Sequence, residues 1–124
     1  MNSKFWNVTG VIVQVLLAVV LLWAGYTKLF TPQAKLSAMW PWTAGNPTLV
    51  MVAGVFDILG GVGVVLPSLL KVKPQWTLYA AIGIILLMFS AAIFHIARGE
   101  VSDIGINVFV IILAGVVSWR YFIN

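Results

Sequence analysis

Five polar side chains within or beside long apolar stretches could do chemistry: Lys28, Asp57, His95, Arg98 and Asn107. An acid, an imidazole, two bases and an amide can together orient a polar group and hold or move a proton. They do not suggest a transition-metal centre, because the chain has one histidine and no cysteine to complete a ligand set. The lack of cysteine also excludes disulfides, iron–sulfur ligation and thiol catalysis. No nucleophile, base and orienter series and no phosphate-binding glycine pattern is present, so no catalytic residue is assigned.

These residues can act together only if helices bring them together, and their spacing predicts that. Gln14, Ala18, Leu21, Gly25 and Lys28 follow steps of three and four along one helical face. Ala53, Gly54, Asp57, Gly60, Gly61 and Val64 form a second such stripe, and Met88, Ala91, Ala92, His95, Arg98 and Gly99 a third. Asp103, Asn107, Ile111, Ala114 and Ser118 form the fourth. Each polar residue lies on the face with the smallest side chains, where membrane helices approach most closely. The polar groups therefore point into a bundle and not into lipid.

Composition supports a membrane bundle. Of 124 residues, 62% are hydrophobic and 8% charged, with three acids against seven bases; mean hydropathy is +1.08. A soluble domain of this size carries about 25% charged residues to hydrate its surface. A soluble enzyme, a disordered tail and a free nucleic-acid-binding domain are excluded, despite a pI near 9.8. Apolar runs cover 8–29, 49–66, 76–97 and 104–123, each close to the roughly 20 residues needed to span a bilayer. The expected fold is all-α, a single-domain integral membrane four-helix antiparallel bundle over residues 1–124. The first run resembles a secretion signal but is too long for a signal core and lacks a cleavage site, so it reads as a retained helix.

An even number of crossings puts both termini on one face with Lys4, Lys71, Lys73 and Arg120, against Lys28, Lys35 and Arg98 on the other. The positive-inside rule then places both termini in the cytoplasm. Phe5, Trp6, Trp76, Trp119 and Tyr121 suit an interfacial belt at the terminal face. Lys28, His95 and Asn107 fall toward the opposite face, and Asp57 lies roughly 12 Å from it at 1.5 Å per residue. Arg98, Glu100 and Asp103 cap that half together with a tryptophan-rich connection, 30–48.

Asp57 is the costliest residue, at about 2.5–3.5 kcal/mol near the bilayer centre. Lys28, His95 and Arg98 are its available partners, and two readings stay open: an ion pair that fixes helix order, or a ligand or proton site. His95 is either a satisfied core histidine or a titrating group, while Lys28 and Arg98 are expected to snorkel toward headgroups. Gln14 and Ser118 suit interhelical hydrogen bonds, and Gly54, Gly60, Gly61 and Gly63 suit close packing.

Three segments carry a family resemblance: Ala24-Gly25-Tyr26-Thr27-Lys28-Leu29, Asp57-Ile58-Leu59-Gly60-Gly61 continuing to Leu66-Pro67, and His95-Ile96-Ala97-Arg98-Gly99-Glu100. In this order and spacing the chain resembles the DoxX and DoxX-like membrane proteins over nearly its whole length. The resemblance implies a small multi-pass protein of the bacterial inner membrane. One namesake is a subunit of a thiosulfate:quinone oxidoreductase, and other relatives are linked to oxidative-stress complexes, assembly or cargo handling. Asp57 stands where many members carry Glu, which shortens the acid by one methylene.

The function implied is a quinone-interacting or redox-accessory membrane subunit. Lys28, Asp57, His95, Arg98 and Asn107 are the ligand or proton-relay candidates, and Trp23, Trp40 and Trp42 the aromatic lining. No covalently held cofactor is expected. Electrons have to pass to another membrane or redox protein, so the chain is not a complete oxidoreductase. The alternative is a non-enzymatic scaffold or assembly factor that docks other membrane proteins or a second copy of itself, with lipid as its surroundings.

Overall fold

The computed structural model describes residues 3–123, with the side chains of Ser3, Trp6, Asp103 and Ile123 outside the described set. The roles expected of Trp6 and Asp103 therefore fall outside the described residues. Among the described residues five helices follow in order: α1 (Ser3–Phe30), α2 (Gln33–Met39), α3 (Pro47–Leu70), α4 (Gln75–Ala97) and α5 (Gly105–Ile123). Short 3-10 turns at Pro41–Thr43 and Val101–Ile104 complete the connections on one face. All but α2 are long and apolar enough to cross a membrane. The four spanning helices form a ring in the order α1, α3, α4, α5, and α1 packs most extensively on α3.

Lipid hydrocarbon gives helices no hydrophobic reason to associate, so close van der Waals contact has to supply it. A Cβ added at Gly25 would lie 2.7 Å from the Ile58 side chain and 2.8 Å from the Gly54 carbonyl oxygen. One added at Gly61 would lie 2.9 Å from Leu22 and 3.2 Å from the Ala18 carbonyl. These glycines let the α1 and α3 backbones meet. Leu17, Leu21, Val64, Ile84, Val110 and Val117 fill the bundle centre, while Leu59, Leu86, Ile93 and Ile112 face outward.

The end of the bundle near the termini is closed by polar contacts. Gln14 Nε2 donates to the Val64 carbonyl at 2.5 Å and to Ser68 Oγ at 3.3 Å. Its Oε1 accepts from Tyr121 at 3.0 Å and Arg120 at 3.4 Å. Ser118 differs from expectation: its buried hydroxyl has no hydrogen-bond partner among the described residues. The interhelical hydrogen bonds expected of Gln14 do form, with Arg120 and Tyr121 of α5 among its partners.

Two boundaries also differ from the apolar pattern. The proline that closes the second apolar run lies inside α3, which continues to Leu70. Its ring crowds a carbonyl of the preceding turn, and Gln14 supplies a donor at the neighbouring Val64 carbonyl. The first connection is a folded cover over the bundle, described below.

Replacing Gly25 by Val should cost about 1–3 kcal/mol by forcing α1 from α3. Gly83→Ala, where an added Cβ meets nothing within 4 Å, should leave stability unchanged or raise it by up to about 1 kcal/mol. Thermal unfolding of both variants in detergent micelles checks the contrast.

Candidate functional site

The half of the bundle away from the termini holds a cleft of about 700 Å³ between all four spanning helices. It exists because Ala24, Ala53, Ala91 and Gly105 line it and are too small to fill the space. Lys28, Asp57, His95 and Asn107 all reach its wall, as do Trp23, Trp40 and Trp42. Trp23, Val52, Phe56 and Ile106 on its rim are about half exposed on the flanks of spanning helices, so the cleft opens sideways toward hydrocarbon.

Lys28 does not snorkel outward. Its Nζ lies 2.5 Å from Asp57 Oδ2, with the aspartate side chain 1% exposed and the lysine 13%. Gly54, one turn before Asp57, explains this local course. A Cβ there would stand 3.1 Å from the Lys28 Cβ, so the absent side chain gives the lysine stem room to lie along α3. Above the ion pair, the Trp40 and Trp42 ring centres stand 5.8 and 5.9 Å from the ammonium, within reach of a cation–π attraction.

Those two indoles belong to the cover. Leu36 of α2 and Thr43 of the following turn are buried. Gln33 Nε2 donates to the Thr43 carbonyl at 3.0 Å, and the Thr43 hydroxyl donates to the Trp40 carbonyl at 2.8 Å. Trp40 meets Trp23 edge to face at 5.7 Å, and Trp42 meets His95 at 5.6 Å.

His95 lies in the last turn of α4, which ends two residues later at a left-handed turn. Gly99 has φ +76°, and the amides of Gly99 and Glu100 donate to the Ile96 and His95 carbonyls at 3.0 and 2.8 Å, a Schellman closure. The turn folds Glu100 back so that its Oε1 lies 3.1 Å from His95 Nδ1 and 3.2 Å from Arg98 Nε. The hydrogen bond with His95 holds the Glu100 carboxyl below the usual glutamate range, against an opposing effect of desolvation, with the Arg98 charge adding to the lowering. Arg98 itself stays outside the cleft, two-fifths exposed, with its guanidinium over the Phe94 ring at 5.2 Å.

Asn107, in the first turns of α5, is 4% exposed, lines the cleft and makes no hydrogen bond to a described residue. A buried amide normally has partners, so this one presents a free donor and acceptor to whatever enters. Glu100 was read only as part of a charged cap. The signal that could have marked it is the glycine after the helix end, which turns the next residue back toward His95.

A protein-family model described as the DoxX-like family matches residues 12–117. The chain belongs to the DoxX-like family. Comparison with curated proteins and with solved structures finds no match. The matched stretch of this DoxX-like chain carries all the cleft residues named above, and its four apolar helices make it a multi-pass membrane protein.

Lys28→Met or Asp57→Leu alone should destabilise this DoxX-like bundle by about 3–5 kcal/mol, because each strands a buried charge. The double variant should recover most of that loss, and a double-mutant cycle in detergent measures the coupling. A second expectation concerns pH. The stability contributed by the Glu100 carboxylate is present above the ordinary glutamate pKa and is lost as pH falls through its lowered folded value. Glu100→Gln should flatten that acid limb in melting curves recorded between about pH 6 and pH 3.

Proposed function

We propose that this chain is a membrane subunit that binds a quinone-class head group in its cleft and exchanges electrons with a partner redox protein. The observation that carries the reading is Asn107, a buried amide with no partner among the described residues, aimed into a tryptophan-walled cleft. A planar head with ring oxygens fits such a site: flat aromatic walls, one amide for an oxygen, and a histidine nearby. The sideways opening suits an isoprenoid or alkyl tail that stays in the hydrocarbon.

A bound quinone supplies two-electron, two-proton redox capacity. The residues of this chain do the rest. Trp23, Trp40 and Trp42 wall the head, Asn107 orients a ring oxygen, and His95 is the group placed to exchange a proton. Lys28 and Asp57 neutralise each other beside the head and keep the cavity polar at one end without net charge. Arg98 contributes through Glu100 and not by contact. The chain then sits in a bacterial inner membrane, both termini cytoplasmic, with the cleft in the outer half. Partner docking through the glycine faces is the weaker reading, because Gly25, Gly54 and Gly61 are already occupied inside the bundle.

Native mass spectrometry of the protein extracted from its own membranes in mild detergent tests the reading. A bound mass matching a quinone or quinol, lost in Asn107→Leu, is the expected result. Phospholipid alone, or a quinone retained in that variant, overturns it.

A further inference from the structure

The four seams of the bundle do not close alike. Between α1 and α3, a Cβ at Gly25 or Gly54 would meet Ile58 or Lys28 beside the Lys28–Asp57 pair, and one at Gly61 would meet Leu22 further in. That seam is shut along the cleft. The seam between α4 and α5 is shut as well, because the two helices pack on each other and on the turn that joins them. The α3–α4 seam parts. On α3, Leu49, Val52, Phe56, Gly60 and Gly63 follow steps of three and four along one face, and on α4 so do Ala80, Ile84, Leu87, Ala91 and Phe94. Toward the termini these stripes touch: a Cβ added at Gly60 would stand 2.9 Å from Ile84, and one at Gly63 3.1 Å from Ala80. Their other ends, Leu49, Val52 and Phe56 against Leu87, Ala91 and Phe94, line the cleft instead. Val52 and Phe56 are about half exposed there.

The α1–α5 seam repeats the arrangement. Near the termini Gln14 Oε1 accepts from Tyr121 at 3.0 Å. Further along the same seam, Val20, Trp23 and Ala24 of α1 and Ile106 and Val110 of α5 line the cleft, and Trp23 and Ile106 are each 50% exposed. In the ring order α1, α3, α4, α5 the two parted seams lie on opposite sides. We propose that the cleft is a passage through the bundle with two mouths in the hydrocarbon, one between α1 and α5 and one between α3 and α4, and that a ring with a single apolar tail exchanges through either. The inference rests on the quinone-class reading above. The ring lies against Asn107 in both cases, and the seam that carries the tail differs. One molecule leaves by one mouth while its replacement arrives by the other, so a ring need not back out along its own tail. Neither seam encloses the tail, so the ring and not the chain length defines the ligand class.

Photolabelling of the full chain in lipid nanodiscs tests this. The probe is a decyl-substituted benzoquinone with a diazirine part-way along its chain, and the competitor is unlabelled decyl-benzoquinone. After illumination, peptide mass spectrometry should find adducts that the competitor suppresses at both mouths, on the Trp23 and Ile106 side and on the Val52 and Phe56 side. Ile106→Trp, which crowds the α1–α5 mouth, should lower the competed adducts there about tenfold. The other mouth stays open, so total competed labelling should fall by no more than about twofold. Competed adducts confined to one mouth, or a distribution that Ile106→Trp does not move, overturn the passage and leave the quinone-class reading standing. Adducts that the competitor does not suppress, or no adducts, overturn both.

Discussion

An ammonium and a carboxylate inside the membrane must stay together, and much of the bundle is arranged around that requirement. Separating Lys28 from Asp57 leaves a bare charge in a low-dielectric interior, which costs far more than the pair itself returns. The pair forms only if the lysine stem lies flat along α3, so Gly54 cannot carry a side chain, and α1 must come close enough for Gly25 and Gly61 to sit against backbone. The indoles of Trp40 and Trp42 then stand over the ammonium, which ties the cover to the same charge.

The two ends of the bundle solve the polar problem in opposite ways. Near the termini, Gln14 uses both ends of its amide on neighbouring helices, with Val64, Ser68, Arg120 and Tyr121 as its partners. Toward the other face, small residues leave a cleft, and the polar groups pair along its wall in two sets, Lys28 with Asp57 and His95 with Glu100. Among the described residues, the Asn107 amide lines this cleft without a hydrogen-bond partner. Rigid closure at one end holds the spacing of the helices that frame the other.

Much of this was legible in the chain itself. Helical periodicity put Lys28, Asp57, His95 and Asn107 on inward faces, and one cleft does unite them. Choosing the partner of Asp57 was beyond pattern reading, because Lys28, His95 and Arg98 lie at similar depth and the room at Gly54 decides between them. Arg98 shares the periodic stripe of His95 yet leaves the cleft, since it caps the helix and its guanidinium turns back to Glu100. The role of Glu100 depends on a left-handed glycine, which sequence marks only as a possible stop. Pro67 follows the last residue of the second apolar run, and a proline without an amide hydrogen reads as a helix end, yet α3 runs on to Leu70.

The sideways opening has a thermodynamic consequence. A molecule that enters the cleft from the flank of the bundle comes from the bilayer, so the relevant concentration is its mole fraction among lipids and not its level in water. Partitioning concentrates a long-tailed amphiphile in the membrane, so even a weak intrinsic fit can be saturated there. Occupancy of the cleft becomes a readout of membrane composition: dilution with other lipids empties it, while changing the aqueous volume does not.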